Sequence, residues 1–148
     1  MNGTPIRHRQ QGLAAVEMAI LLVPLLIMTF GMTELGRALY YYNTLAKGTR
    51  DASRFLSMHA RGDAEPEARC LAIYGRTACT SGDTDPLAPN ARLDMVSISY
   101  EATVETGYGS IDLVKVTITG YPYTSLVPMV VNSMVFGPIA TTMRQAGS

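Results

Sequence analysis

Glu17 is the one charged side chain in residues 13–32, LAAVEMAILLVPLLIMTFGM. An ionised carboxylate in a hydrophobic helix costs on the order of 3 kcal/mol at mid-bilayer, so it is retained where a cation pairs with it. A cut between Gly12 and Leu13 would supply that cation. The new amino group of Leu13 would lie four residues from Glu17, about 6 Å along a helix axis, and could pair within the chain or with a neighbouring subunit. The same cut would remove Arg7 and Arg9, which hold the end of the chain at one membrane face, and would leave a helix that can be drawn out of the bilayer.

Other residues capable of chemistry are sparse. Cys70 and Cys79 are the only cysteines, and a bridge between them would close a short loop and contribute roughly 2 to 3 kcal/mol to a small domain. Two cysteines are too few for a zinc site, and His59 is the only histidine outside the lead-in, so no mixed cysteine and histidine cage can be assembled. Asp83 and Asp85 suggest calcium, yet no glycine and glutamate follow at the required spacing; a solvated turn is the better reading. No nucleophile elbow, no H-E-x-x-H and no nucleophile with a base at a recognisable spacing is present. An enzyme is not expected, nor is a metal or cofactor. Glu101, Glu105 and Asp112 read as surface carboxylates.

The elements that must position Glu17 begin with a membrane span. Twenty residues, 13–32, would reach about 30 Å as a helix, the thickness of the hydrocarbon layer. A removable secretory signal would need a small-residue exit after the apolar stretch, and Thr33, Glu34, Leu35, Gly36 and Arg37 follow instead. Arg7 and Arg9 on one side face Arg37, Lys47 and Arg50 on the other, so charge counting alone does not orient the span. Arg7 and Arg9 lie closest to it, and the two cysteines suit an oxidising compartment; the N-terminus is therefore placed in the cytoplasm and the rest outside it. Pro24 is compatible with a span, where neighbouring groups satisfy the freed carbonyl, and marks a point for a kink or local loosening.

Past Met32, Leu35, Leu39, Tyr42, Leu45 or Ala46, Thr49, Ala52 and Leu56 recur at helical spacing, opposite Arg37, Lys47, Arg50 and Arg54. Lys47 with Asp51 and Asp51 with Arg54 are spaced for helix-surface ion pairs. The expected rod covers 13–58, roughly 70 Å long. A bitopic anchor with a helical stalk explains such a rod equally well.

Residues 60–92 are rich in Gly, Pro and Asp and read as loop, with one short helix around 67–74. The period then changes to two: Val96, Ile98, Tyr100, Ala102 and Val104 alternate with polar neighbours, as do Val114, Val116 and Ile118. With the TGYGS turn of 106–110 between them, these form an antiparallel hairpin laid on the helix stripe. The apolar stretch 125–143 is interrupted by Pro128, Asn132, Gly137 and Pro138, too often to span a membrane; a short helix or loop and a third strand near 139–144 are expected. Its methyl groups fill a core or form an interaction surface. Twelve Lys and Arg balance twelve Asp and Glu without a basic stripe, which argues against nucleic acid. The composition, 47% hydrophobic and 16% charged, excludes wholesale disorder.

Gly12, Leu13, Ala14, Ala15, Val16 and Glu17, followed by an apolar helix, resemble the class III prepilin site, in which a membrane aspartyl peptidase cuts after the glycine. The wider stretch 12–39, GLAAVEMAILLVPLLIMTFGMTELGRAL, resembles the TadE-like proteins of the tight-adherence (Flp) pilus, with echoes in AKGTRDASRFLS, VTITGYPYTSLVP and the terminal TTMR. One departure is Met18, where that family often has an aromatic residue. The resemblance implies a minor pilin or pseudopilin, a non-enzymatic subunit of the inner membrane that supports assembly of a thin adhesive pilus. It implies a leader at 1–12, a helix at 13–58 with its span at 13–32, and a small periplasmic α+β domain at 59–148, a long helix packed on a small antiparallel sheet. The implied partners are the prepilin peptidase, other pilin and minor pilin subunits, an inner-membrane assembly platform and the lipid bilayer. By that family's logic Glu17 pairs with the processed amine of an adjacent subunit. The alternative is an unprocessed bitopic periplasmic assembly or binding protein.

Overall fold

Arg7–Ser57 form one unbroken helix, α1, about 75 Å long. The structure is a computed structural model that describes residues 7–80, 82–128 and 132–146, with side chains from Gly12 onward. The first six residues of the expected leader, and 129–131 of the apolar stretch, lie outside the described residues. The helix starts before the expected Leu13 because one glycine in a helix costs only about 1 kcal/mol, which good helix formers such as Arg7, Arg9, Gln10 and Gln11 offset. It continues through Pro24. The hydroxyls of Thr29 and Thr33 donate to the carbonyls of Leu25 and Thr29, at 2.8 and 2.9 Å, so the polar groups at the end of the apolar segment are satisfied within the helix.

After α1 the chain forms α2, Glu65–Tyr74. Glu65, Pro66 and Glu67 start it as the helix dipole favours, and Gly75 closes it in the left-handed region, its N–H donating to the Leu71 carbonyl at 3.0 Å. Cys70 and Cys79 are joined, which pins the segment that follows. Asp83 accepts from the Thr80 N–H at 3.1 Å and from Arg76 at 2.7 Å, and these bonds, the Thr80 amide first, hold its carboxyl below the ordinary value.

A three-stranded antiparallel sheet follows in the order β1 (Val96–Glu105), β2 (Ser110–Ile118) and β5 (Ile139–Arg144). Thr106 donates to the Gly109 carbonyl at 3.0 Å to close the β1–β2 turn, and Gly107 and Gly109 both take positive φ there. Val114, Val116 and Ile118 of β2 face the core, as their alternation predicts. The alternation of β1 holds from Val96 to Tyr100 and then fails: Ala102 is exposed, contrary to expectation. A register shift between Glu101 and Val104 is the cause, with Thr103 at φ 59° and its N–H donating to Asp112 Oδ1 at 2.8 Å.

Between β2 and β5 lies an element that the sequence did not suggest, a ribbon of β3 (Pro122–Tyr123) and β4 (Met134–Val135) in place of the expected short helix or loop. The third strand of the sheet stands where it was expected, at Ile139–Arg144.

The predicted stripe of α1 packs on this domain in its second half, where Leu45, Thr49, Ala52 and Leu56 are buried, and not in its first. Leu35, Leu39 and Tyr42 are exposed; the stripe that turns inward is Glu34, Ala38, Tyr41, Leu45, Gly48, Thr49, Ala52, Ser53 and Leu56. Hydrogen bonds satisfy its polar members. The Thr49 and Thr141 hydroxyls meet at 3.0 Å, and Ser53 Oγ lies 2.7 Å from the Thr49 carbonyl and 3.1 Å from the Thr141 carbonyl. At the far end, Gln145 Nε2 donates to the carbonyls of Leu56 and His59, at 3.3 and 2.7 Å, and the Ala146 N–H donates to Ser57 at 2.8 Å. The carbonyls at the end of α1 are thus covered by the residues after β5. The predicted pairs Lys47–Asp51 and Asp51–Arg54 do not form among the described residues, since exposed charges gain little over solvation.

Candidate functional site

Along the first half of α1 every described side chain from Leu13 to Phe30 is exposed, as expected of a segment whose surroundings are apolar and not part of the chain. Gly12 and Glu17 share this open surface: a Cβ at Gly12 would meet no atom within 4 Å, and Glu17 makes no hydrogen bond or ion pair among the described residues. The apolar surface does not end with the span. Leu21, Leu25, Met28 and Met32 continue, at alternating steps of four and three, into Leu35, Leu39 and Tyr42. Leu35 is 61% exposed and Leu39 53%, both beyond the last residue that a bilayer core would cover.

Two residues past the span lies a site that sequence reasoning missed. Glu34 is 2% exposed. Tyr123 Oη donates to Glu34 Oε2 at 2.8 Å and lies 3.0 Å from the Glu34 backbone carbonyl. Arg37 pairs with Oε1 at 3.0 Å, and the Leu126 N–H reaches both carboxylate oxygens, at 3.3 and 3.4 Å. The Arg37 guanidinium sits 5.7 Å from the Tyr41 ring centre and 5.9 Å from that of Tyr123, close enough for cation–π attraction. Phe136 stacks on Tyr123 at 5.8 Å and meets Tyr42 at 5.9 Å. The arrangement straps the β3–β4 ribbon to α1 where the helix leaves the apolar segment.

Burial pushes the Glu34 carboxyl upward, but the hydrogen bond from Tyr123, the nearby Ser125 hydroxyl, the Leu126 N–H and the Arg37 charge together hold it below its ordinary value. A depressed carboxyl stabilises the fold fully above pH 4.5, and that contribution is lost as pH falls through the lower folded value. Burial, followed by the charges of Tyr41 and Tyr123, pushes the neighbouring Tyr121 up to about 12. Its contribution is complete below pH 10 and lost as pH rises toward that value. Tyr123→Phe removes the hydroxyl that Glu34 accepts from and should cost about 2 kcal/mol, the range for a hydrogen bond to a charged group. Denaturant unfolding of the full chain in detergent checks this, and the variant should also lose stability at a higher pH than the parent on acidification.

A signal for this site was available: Glu34 and Arg37, three residues apart, stand directly after an apolar run where a free charge would otherwise be out of place. Among the described residues no three of His, Cys, Asp and Glu converge to hold a metal ion. The chemistry within reach of this surface is association: a carboxylate at Glu17 with no bond among the described residues, and an exposed apolar stripe running beyond the span.

The family model for the TadE-like protein matches residues 12–54, which is the apolar segment and nearly all of the packed part of α1. The match includes Gly12, Glu17 and Glu34. The domain built from α2 and the sheet lies outside it. No curated protein and no solved structure matches the chain.

Proposed function

From a chain whose residues 12–54 are TadE-like, we propose a minor pilin or pseudopilin that supports assembly of the tight-adherence (Flp) pilus without enzymatic activity. In this reading the span lies in the inner membrane with the N-terminus cytoplasmic and the domain periplasmic. A prepilin peptidase cuts between Gly12 and Leu13, and Glu17 then pairs with the amine of an adjacent subunit. Pro24 is the point where the helix loosens as it leaves the lipid. Other pilin subunits and the inner-membrane platform are the partners.

The observation that carries the reading is the exposed stripe of Leu35, Leu39 and Tyr42. Lipid accounts for the exposed residues of 13–32, but Leu35 and Leu39 lie past the span with more than half of each side chain exposed, and Tyr42, which meets Phe136 on one side, still leaves 44% of itself open. They continue the seven-residue repeat of Leu21, Leu25, Met28 and Met32, the spacing with which one helix packs along another. A subunit packed along α1 would cover both halves of the stripe at once. A Leu39→Asp chain tests this: folding should be unchanged because the side chain is exposed, while the yield of sheared pili should fall at least about tenfold, the effect of an unpaired charge in an apolar contact. Normal pilus yield with Leu39→Asp would sink the reading.

The continuity of α1 from Arg7 through Gly12 favours a second reading, an unprocessed bitopic assembly protein, since the bond to be cut lies within a helix. That protein would tolerate Leu39→Asp.

A further inference from the structure

We propose that the connecting end of the β3–β4 ribbon, with Leu126 and Val127 and the adjoining Met134 and Val135, docks into the interfacial layer of the bilayer beside the span, so that the domain rests on the membrane. The inference rests on residues 13–32 being a span. It adds a second point of membrane contact that the pilin reading does not require.

The level of the ribbon comes from its tie to Glu34. That residue lies two positions past Met32, about 3 Å along the axis, and helix side chains tilt toward the N-terminus, here toward the lipid. The Leu126 N–H bonded to this carboxylate therefore sits level with the last turn of the span. The direction of the ribbon comes from its register. Tyr123 pairs with Met134, and Tyr123 reaches Glu34; further along, the Phe136 N–H donates to the Tyr121 carbonyl at 2.9 Å, and Phe136 packs on Tyr42. Tyr42 lies eight residues, about 12 Å, beyond Glu34. The ribbon thus runs down α1 toward the membrane with its connecting end first.

Three properties of that end suit lipid. Leu126 is 73% exposed and Val135 67%, and no described residue of the domain covers them. No Asp, Glu, Lys or Arg occurs from Gly120 to Met143, whereas the β1–β2 hairpin, at the opposite end of the domain, carries Glu101, Glu105, Asp112 and Lys115. The backbone is also prepared for a water-poor layer. The Leu126 N–H is bonded to Glu34, the Val127 N–H to Ser125 Oγ at 3.1 Å, and Pro128 has none, so three successive residues present no free donor. Above them stand Tyr40, Tyr41, Tyr42, Tyr121 and Tyr123, the residue type enriched where a chain crosses from hydrocarbon to water. A second copy of the chain would have no use for a backbone free of donors, and so the occupant we assign is the phospholipid surface.

The test is depth-resolved quenching on the full chain in phosphatidylcholine and phosphatidylglycerol vesicles. One fluorophore is attached, with Cys70 and Cys79 left oxidised, to a cysteine at a single position: Leu126→Cys, or Val135→Cys as an independent probe. Tyr108→Cys at the exposed hairpin tip and Leu22→Cys in the span are controls. The expected result is quenching of both ribbon probes by lipids with a nitroxide near the headgroup, and several-fold less quenching by aqueous iodide than at Tyr108. Iodide quenching equal to that at Tyr108 overturns the proposal. Shielding from both quenchers that disappears on dilution in lipid also overturns it, in favour of a second copy. A Leu22 probe that deep nitroxide lipids fail to quench overturns the span itself, and the docking with it.

Discussion

A Glu17→Ala chain is expected to insert in the membrane at least as well as the parent, to accumulate to the same level, and to yield no sheared pili above background. Insertion should improve because a carboxylate at depth costs on the order of 3 kcal/mol and alanine does not. Assembly should fail because Glu17 makes no hydrogen bond or ion pair among the described residues, so the group that repays that cost must come from a new amine or a neighbouring chain. Glu17→Gln separates charge from hydrogen bonding: with a cationic partner it should fail as alanine does. The measurement is pilus yield against subunit level in the same membranes. Normal yield from Glu17→Ala would leave the carboxylate as a local hydrogen-bonding group and favour the bitopic protein.

The second large effect concerns the domain. At Gly48, α1 crosses α2 so closely that a Cβ would stand 2.2 Å from the Ala72 backbone carbonyl oxygen, and a backbone oxygen cannot turn aside. Gly48→Ala should therefore force the two helices apart, an overpacking cost of up to about 3 kcal/mol, against a gain of about 1 kcal/mol in helix propensity. The expected net loss of about 2 kcal/mol lowers the melting temperature by roughly 10 °C in a domain of this size. Gly36 lies on the same helix with nothing within 4 Å of its Cβ position, so Gly36→Ala should raise stability by up to about 1 kcal/mol. Thermal unfolding of both variants in one detergent reads the two opposite signs. A Gly48→Ala chain as stable as Gly36→Ala would mean that the α1–α2 contact contributes little.

How much of this was legible in the sequence depends on the length of each pattern. The long helix, the β1–β2 hairpin and the strand at Ile139–Arg144 rest on periodicities sustained over many residues, and all three are present. The helix stripe was legible from Leu45 to Leu56 but misread before it, because Leu35, Leu39 and Tyr42 are as apolar as the residues that turn inward. The ribbon selects the other face through Tyr123, which bonds Glu34, a residue type that normally signals solvent. Ser53 and Thr49 are likewise buried by virtue of partners 88 and 92 residues away, which no local pattern reports. Strands of two residues, Pro122–Tyr123 and Met134–Val135, are too short for alternation to be visible. At Ala102 the alternation was visible but misleading, because the bulge turns the residue outward. At the other end, the roles proposed for Gly12, Leu13 and Glu17 rest on type and spacing alone, because they concern what the chain would become after a cut and not what it packs against.

That cut decides the central claim. The direct measurement is the intact mass and N-terminal residue of the protein recovered from its own host's membranes, with and without the prepilin peptidase. A peptidase-dependent start at Leu13 is the predicted result, giving Glu17 an amine four residues away and removing the charged lead-in. A start at Met1 under both conditions would contradict it, leaving Arg7 and Arg9 as a permanent anchor and the chain as a bitopic assembly protein.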